Sequence, residues 1–417
     1  MQDEGTKART AAGIAARTLA GADLDSALLD AHRHTWSILA DLDSCRSATA
    51  SGWSVPELPG INPPLWEYGH LAWFAEWWIL RDAQPDEKAG GWAVRRPAML
   101  ADADRWFDSA RVAHDTRWRL DLPSLSAIRD YVARVLDAVR GKLASELRGV
   151  EENAALYPYR LVLFHEDMHG EALQYLRQTL DYPASGRVVL TPVERGEEIA
   201  FGSGLFAMGA SSQDGFAFDN EERVHEVEIE AFVIDRDCVA NHAYAEFVEA
   251  GGYRDARLWS PAGRMWLQAA SLEAPMRWRR SRDSNGEWQQ LWFGRWQMLP
   301  LDHPVCHVNA FEAEAYSAWA GRRLPSEAEW EFATTDSAQD SFCWGRSVWE
   351  WTADSFVPYP GFMPGRYREY SEPWFHTHRS VRGASFATRA RVRNPRYRNF
   401  YLPERSDLFV GFRTCTL

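Results

Sequence analysis

The hydrophobic period of this chain changes once, and that change sets its fold class. Up to about residue 182, apolar side chains recur every three to four positions over long windows, the spacing of helices with one buried face. Leu24–Leu42 repeats Leu24, Leu28, Leu29, Trp36, Leu39 and Leu42, with His32 and His34 along it. Gly and Pro break 47–64 into a loop, and Leu65–Arg81 follows as a second helix rich in Trp, Tyr and Phe. A long irregular segment runs to about Pro123. Ser124–Leu147 carries the clearest period, Ile128, Tyr131, Val132, Val135, Leu136, Val139 and Leu143, behind capping serines at 124 and 126. Tyr157–Leu180 is the fourth helix, and residues 1–22, rich in Ala and Thr, read as a loose leader. Four helices with long connections predict a bundle. After Tyr182-Pro-Ala-Ser-Gly-Arg187 the pattern shortens to strand-like runs at Glu226–Ile234, Gln289–Phe293, Ser380–Gly383 and Leu408–Arg413, with short helices at Asn241–Ala250 and Ala310–Ala320. The fold class is therefore α followed by α+β, divided into a helical region 1–190 and a mixed region 191–417.

The fourth helix carries the chemistry. His165 and His169 stand four residues apart, one turn up the same helical face, where both imidazoles can grip one divalent ion. Glu166, Asp167 and Glu171 flank the pair, and a ligating histidine usually donates its second ring N–H to a carboxylate. Three readings stand side by side. His165-Glu-Asp-Met-His169 is a literal HExxH, the zinc-hydrolase motif with Glu166 as general base, although the longer form with a third histidine fails because residue 172 is Ala. The pair can instead belong to another metal centre, or be two half-buried histidines in a helix seam.

Composition narrows the partners. The net charge of −13 disfavours nucleic acid and anionic membranes. Cys45, Cys238, Cys306, Cys343 and Cys415 are scattered without a CxxC, which fits a reducing cytoplasm and no disulfide framework. The N-terminus has no signal-peptide pattern, and the most apolar run, His70–Leu80, contains Glu76 and is too short for a bilayer. The 21 Trp imply aromatic-lined pockets.

In the second region, Gly204-Leu-Phe-Ala-Met-Gly209, His303-Pro-Val-Cys-His-Val-Asn309, Arg323-Leu-Pro-Ser-Glu-Ala-Glu-Trp-Glu-Phe332, Val348-Trp-Glu-Trp-Thr352, Val381-Arg-Gly-Ala-Ser385 and Gly411-Phe-Arg413 resemble the formylglycine-generating-enzyme-like, C-type-lectin-like domain. The first region resembles the DinB-like four-helix bundle. With His70 in Leu65-Trp-Glu-Tyr-Gly-His-Leu-Ala-Trp-Phe74, the combination resembles the ergothioneine-type synthases, a family that includes selenoneine synthases. The resemblance implies a non-heme Fe(II) centre on His70, His165 and His169, with O2 as co-substrate. The reaction it implies joins sulfur or selenium to the imidazole C2 of hercynine, which is trimethylhistidine. Three imidazoles leave open positions on an octahedral ion for O2 and a soft thiolate or selenolate.

The same resemblance assigns roles in the second region. Tyr367, in Gly365-Arg-Tyr-Arg-Glu-Tyr-Ser371, is the proton donor and Tyr370 helps hold hercynine. In Arg398-Asn-Phe-Tyr-Leu-Pro-Glu-Arg405, Asn399 meets the hercynine carboxylate or ammonium region and Phe400 offers a face to the trimethylammonium. Arg405 is a candidate for an anionic group on the second substrate; for the donor-binding arginine near the N-terminus, both Arg111 and Arg117 qualify. Two positions depart from the ergothioneine enzymes. Met168 stands where they carry a Gln, and Tyr401 stands where users of γ-glutamylcysteine carry an acid for the donor's amino group. A sugar donor has hydroxyls and no ammonium, so these departures favour a selenosugar over cysteine or γ-glutamylcysteine.

Overall fold

The computed structural model describes residues 4–86, 91–146, 149–150, 152–193, 196–211, 213–281, 286–335 and 342–417. Four long helices form the expected bundle: α2 (Gly21–Leu39), α3 (Pro64–Ala75), α5 (Leu125–Glu146) and α6 (Asn153–Thr179). α2 packs on α5 and α6, and α3 packs on α5 and α6. Proline at the first turn of α3 fits its missing N–H. α3 runs on into a π-helical turn, Glu76–Leu80. The buried Glu76 at that turn accepts from the Tyr131 hydroxyl and the Met99 N–H, both at 2.5 Å. The irregular segment before α5 contains a small hairpin, Gln84–Asp86 with Gly91–Ala93, and the short helix α4, Ala103–Phe107.

The leader is not loose. Residues Glu4–Ala16 form a helix, α1, which packs on the 390–392 turn of the second region. Its small residues let it come close: a Cβ on Gly13 would lie 1.5 Å from the Arg393 carbonyl oxygen. Arg17 then anchors it, with a two-pronged pair to Glu221 at 2.8 and 2.9 Å. An Ala-rich run shows no amphipathic stripe, so its docking was not visible as a period.

The second region holds two four-stranded sheets. One orders 322–323, 415–416, 232–235 and 198–201; the other orders 399–401, 379–383, 349–355 and 410–411. The expected strand Glu226–Ile234 is two strands: His225–Ile229 pairs with Gly204–Met208, and Phe232–Asp235 pairs with Glu198–Phe201. Of Leu408–Arg413 only Val410–Gly411 is strand. Helices α7 (Asn241–Glu249) and α9 (Ala310–Trp319) stand where expected, joined by α8 (Pro261–Ala270) and α10 (Glu327–Thr335). Asn309 and Glu312 close a reciprocal capping box at the start of α9.

One continuous apolar core runs from α2 through α6 into the second region. α6 is the suture, because its buried polar residues face the second region. Asp167 pairs with Arg391, Glu171 accepts from Trp349, Ser385 and Thr388, and the Gln178 side-chain Oε1 accepts from the Phe293 N–H. Among the described residues, no helix is long and apolar enough to cross a membrane.

Candidate active site

His70 on α3 and His165 and His169 on α6 converge. One ring nitrogen from each lies within 4.8 Å of the others, and no other His, Cys, Asp or Glu group among the described residues is identified as able to hold a metal. Two of the rings are oriented from behind. His70 Nδ1 lies 2.8 Å from the Phe107 carbonyl oxygen, and His169 Nδ1 lies 2.8 Å from Glu67 Oε1. A carbonyl and a carboxylate only accept, so both Nδ1 atoms carry a hydrogen, which in a neutral ring leaves the lone pair on Nε2. His165 is held differently: it stacks on Phe74 with centroids 3.7 Å apart and planes 6° apart. Burial, then the charge of the neighbouring His169, pushes the His70 and His165 pKa values well below the usual imidazole range. The pocket thus holds these two rings neutral at physiological pH, as metal ligation requires. Three converging imidazoles, two of them oriented from behind, fit a divalent transition metal.

The acids beside the histidine pair do not serve it. Asp167, two residues from each histidine, and Glu171, two beyond His169, point to other faces of the helix. Glu166, although three residues before His169, is engaged elsewhere, so the carboxylate partner comes from a facing helix. Glu166 turns into the bundle, 3.6 Å from His32 Nδ1, and lies against Tyr68 and Val162. Asp167 pairs with Arg391, and Glu171 gathers Tyr175, Trp349, Ser385 and Thr388. Glu67, three residues before His70 on α3, is the carboxylate that reaches His169.

The second region closes over this cluster. The Tyr367 ring sits edge-on to Phe74 at 4.9 Å and 6.1 Å from the His165 ring. Burial, then the Glu369 charge, raises its phenol to about 12, while the nearby Ser109 and the Arg117 charge pull the other way. Tyr370 stacks on Phe218 at 4.4 Å, and its hydroxyl lies 3.0 Å from that of Tyr397. Both hydroxyls reach Met168 Sδ, Tyr397 at 3.0 Å and Tyr370 at 3.6 Å. Phe400 stacks on Phe356 at 4.1 Å and meets the Tyr370 ring edge-on at 5.6 Å. Asn399 donates from Nδ2 to the Tyr401 hydroxyl at 3.1 Å, and that hydroxyl lies 3.3 Å from the Tyr175 hydroxyl.

The arginines divide. Arg405 is already matched, with Asp407 at 3.0 and 2.5 Å and the Gly60 carbonyl at 3.2 Å. Arg117 stacks 3.9 Å over Trp66 and donates to Asn62 at 2.6 Å. Arg111 is mostly exposed and lines a cleft beside Tyr367 with Trp77, Trp78, Trp92 and Arg366. Arg366 also donates to the Ala154 carbonyl at 3.5 Å, the acceptor that Pro158 leaves without its helical donor.

Residues 187–348 match the FGE-sulfatase family, described as the sulfatase-modifying factor enzyme 1-like domain. The hercynine oxygenase of Mycolicibacterium smegmatis is 33% identical over 408 residues, covering 85% of this chain and 91% of its own. This chain belongs to the hercynine oxygenase family. The hercynine oxygenase of Mycobacterium tuberculosis is 31% identical over the same shares of the two chains. The formylglycine-generating enzyme of Streptomyces coelicolor is 33% identical over 166 residues, 36% of this chain and 50% of its own. This member of the hercynine oxygenase family therefore carries an FGE-sulfatase-like domain behind its helical region.

Sequence reasoning alone did not single out Glu67, Phe107, Phe74, Tyr397 or Arg391. Glu67 had a signal, since an acid three residues from a candidate ligand shares its side of the helix. Phe107 acts through its main chain, which no side-chain pattern reports.

Proposed function

We propose that this protein is an iron(II)- and O2-dependent enzyme that forms a carbon–chalcogen bond at the imidazole C2 of hercynine, and that its donor is a selenosugar. The observation that carries the reading is the convergence of the His70, His165 and His169 imidazoles beside Tyr367, in a chain of this family. In the overall change the C2–H and Se–H bonds are lost, a C2–Se bond forms, one oxygen atom of O2 ends on selenium as the selenoxide, and the other leaves with the two hydrogens as water. Iron(II) held by the three imidazoles supplies electron transfer to O2 and a soft-ligand position for a selenolate.

The chain's own residues do the rest. Glu67 and the Phe107 carbonyl keep His169 and His70 in the ligating tautomer. Tyr367 keeps its proton at neutral pH and stands over His165 as proton donor. Phe400, braced by Phe356, offers a ring to the trimethylammonium, which has no N–H and is best held by cation–π contact. Tyr370 and Asn399 hold hercynine at the same wall. Arg111, at the mouth of the cleft, is exposed and only loosely paired with Asp108 at 3.5 Å, so it fits an anionic or polar end of the donor better than Arg405, which Asp407 and the Gly60 carbonyl hold closely.

Two features support the selenosugar over a thiol bearing an ammonium group. Tyr401 offers a neutral hydroxyl to the site, in contact with Asn399 and Tyr175, and the carboxylate behind Tyr175, Glu171, is already taken by Tyr175, Trp349, Ser385 and Thr388. Met168 brings a thioether, which only accepts hydrogen bonds. The zinc-hydrolase reading loses its general base, because Glu166 faces His32 in the bundle. The test is a competition: hercynine with equimolar selenosugar, cysteine and γ-glutamylcysteine under air, read by mass spectrometry. The selenium product should dominate. A product containing only sulfur overturns the donor assignment, and consumption of γ-glutamylcysteine in preference to both identifies an ergothioneine-type sulfoxide synthase.

A further inference from the structure

Tyr370, Tyr397 and Met168 make a closed triangle with an uneven supply of hydrogen. Three short contacts join them: 3.0 Å between the two hydroxyls, 3.0 Å from Tyr397 to Met168 Sδ and 3.6 Å from Tyr370 to the same sulfur. Only two hydroxyl hydrogens serve these three contacts, because a thioether has none to give. An oxygen and a sulfur at 3.0 Å without a hydrogen between them repel, so the Tyr397 hydrogen points at Met168. The hydroxyl–hydroxyl contact then has one hydrogen left to fill it, that of Tyr370. Tyr397 is 1% exposed and wedged against Trp349 and Phe218, so its hydroxyl has little freedom to turn elsewhere.

We infer that Tyr397 is a positioning residue that commits the Tyr370 hydrogen inward, so that Tyr370 faces the site as a hydrogen-bond acceptor and recognises a ligand N–H. Met168 is the end of the chain, the acceptor that sets its direction. The consequence separates two phenols three residues apart. Tyr370 shows the site lone pairs and no hydrogen, while Tyr367 stands apart from this triangle, edge-on to Phe74 and His165. Tyr370 then suits the azole N–H of an imidazole substrate and disfavours a carboxylate. The ligand class rests on the hercynine reading above; the direction of the hydrogen chain does not.

Two measurements keep the two apart. The first needs no ligand. In protein labelled at tyrosine ring carbon ζ and dissolved in equal H2O and D2O, a slowly exchanging hydroxyl splits its carbon signal. The Tyr370 signal should be split in the wild type and collapse to one averaged line in Tyr397→Phe, which leaves only the 3.6 Å sulfur as a partner. A Tyr370 signal already averaged in the wild type, or still split in Tyr397→Phe, overturns the inference. The second is calorimetric binding to metal-free protein of hercynine and its ring N-methylated analogue. The wild type should favour hercynine by about three- to ten-fold, the effect of one hydrogen bond. That preference should shrink in Tyr397→Phe and in Met168→Leu, and no further in the double variant. A preference unchanged in Tyr397→Phe overturns the role of Tyr397. No binding of hercynine to the wild type, with the split signal intact, overturns the substrate reading and leaves the hydrogen chain standing.

Discussion

Replacing Glu67 with Ala removes the side-chain carboxylate that orients His169. Glu67 is 2% exposed, and its Oε1 takes the Nδ1–H of His169 at 2.8 Å. Without it, the His169 hydrogen is free to sit on Nε2, the nitrogen that faces the cluster, and every chain in that tautomer is unable to bind metal until it switches. Arg117 adds to the loss, because the Glu67 charge acts on its guanidinium and would no longer offset it near an incoming cation. Loss of such an outer partner weakens metal affinity by about 10- to 100-fold, which is about 1.4 to 2.7 kcal/mol at 1.36 kcal/mol per decade. Glu67→Gln keeps a carbonyl acceptor and loses only the charge, so it should fall between wild type and Glu67→Ala. The assay is anaerobic competition for iron(II) against a coloured chelator, with circular dichroism to show that the helices persist. Glu67→Ala binding iron within about two-fold of wild type would refute the reasoning, since the effect of the outer partner is an order of magnitude or more.

Three further outcomes follow from the same geometry. Tyr367→Phe should keep metal content and hercynine affinity and lower turnover by about 100-fold or more or divert the product, as expected when a proton donor is lost; unchanged rate and product in steady-state assays would remove Tyr367 from that role. Gly69→Ala would put a Cβ 2.3 Å from Phe107 Cζ, against a ring that is fully buried, so urea unfolding should show a loss of about 1–3 kcal/mol. Iron affinity should fall with it, because the Phe107 carbonyl orients His70. For metal-free protein, the folded pKa values of His70 and His165 lie below the unfolded value, so the unfolded chain binds protons that the fold excludes. Stability should therefore fall as pH drops below about 6.5, by up to roughly 1.4 kcal/mol per pH unit for each of the two groups. His70→Gln should flatten that slope in urea titrations at pH 5, 6 and 7; an equal slope in the variant would contradict it.

The sequence made the bundle legible because a 3.6-residue period survives over twenty residues, as in α5, where Ile128, Tyr131, Val132, Val135, Val139 and Leu143 are all buried. α1 was illegible for the opposite reason: its docking depends on small side chains and on the close approach at Gly13. Strand boundaries failed at Glu230–Ala231, where an alternating run passes between two sheets without a glycine or proline to mark the change. At the site, the i, i+4 spacing of His165 and His169 places both on one face whatever surrounds them. Their outer partners were not legible, because Glu67 and Phe107 are brought in by packing between α3, α4 and α6. Arg405 looked available in the chain, but Asp407, two residues on, takes its charge.

The most direct test of the central claim is oxygen uptake by anaerobically purified protein loaded with one equivalent of iron(II), followed on an electrode as hercynine and selenosugar are added together. The account predicts uptake that requires hercynine, donor and iron at once, and that is abolished in His165→Ala. Uptake that proceeds without hercynine, or that survives in His165→Ala, would contradict it.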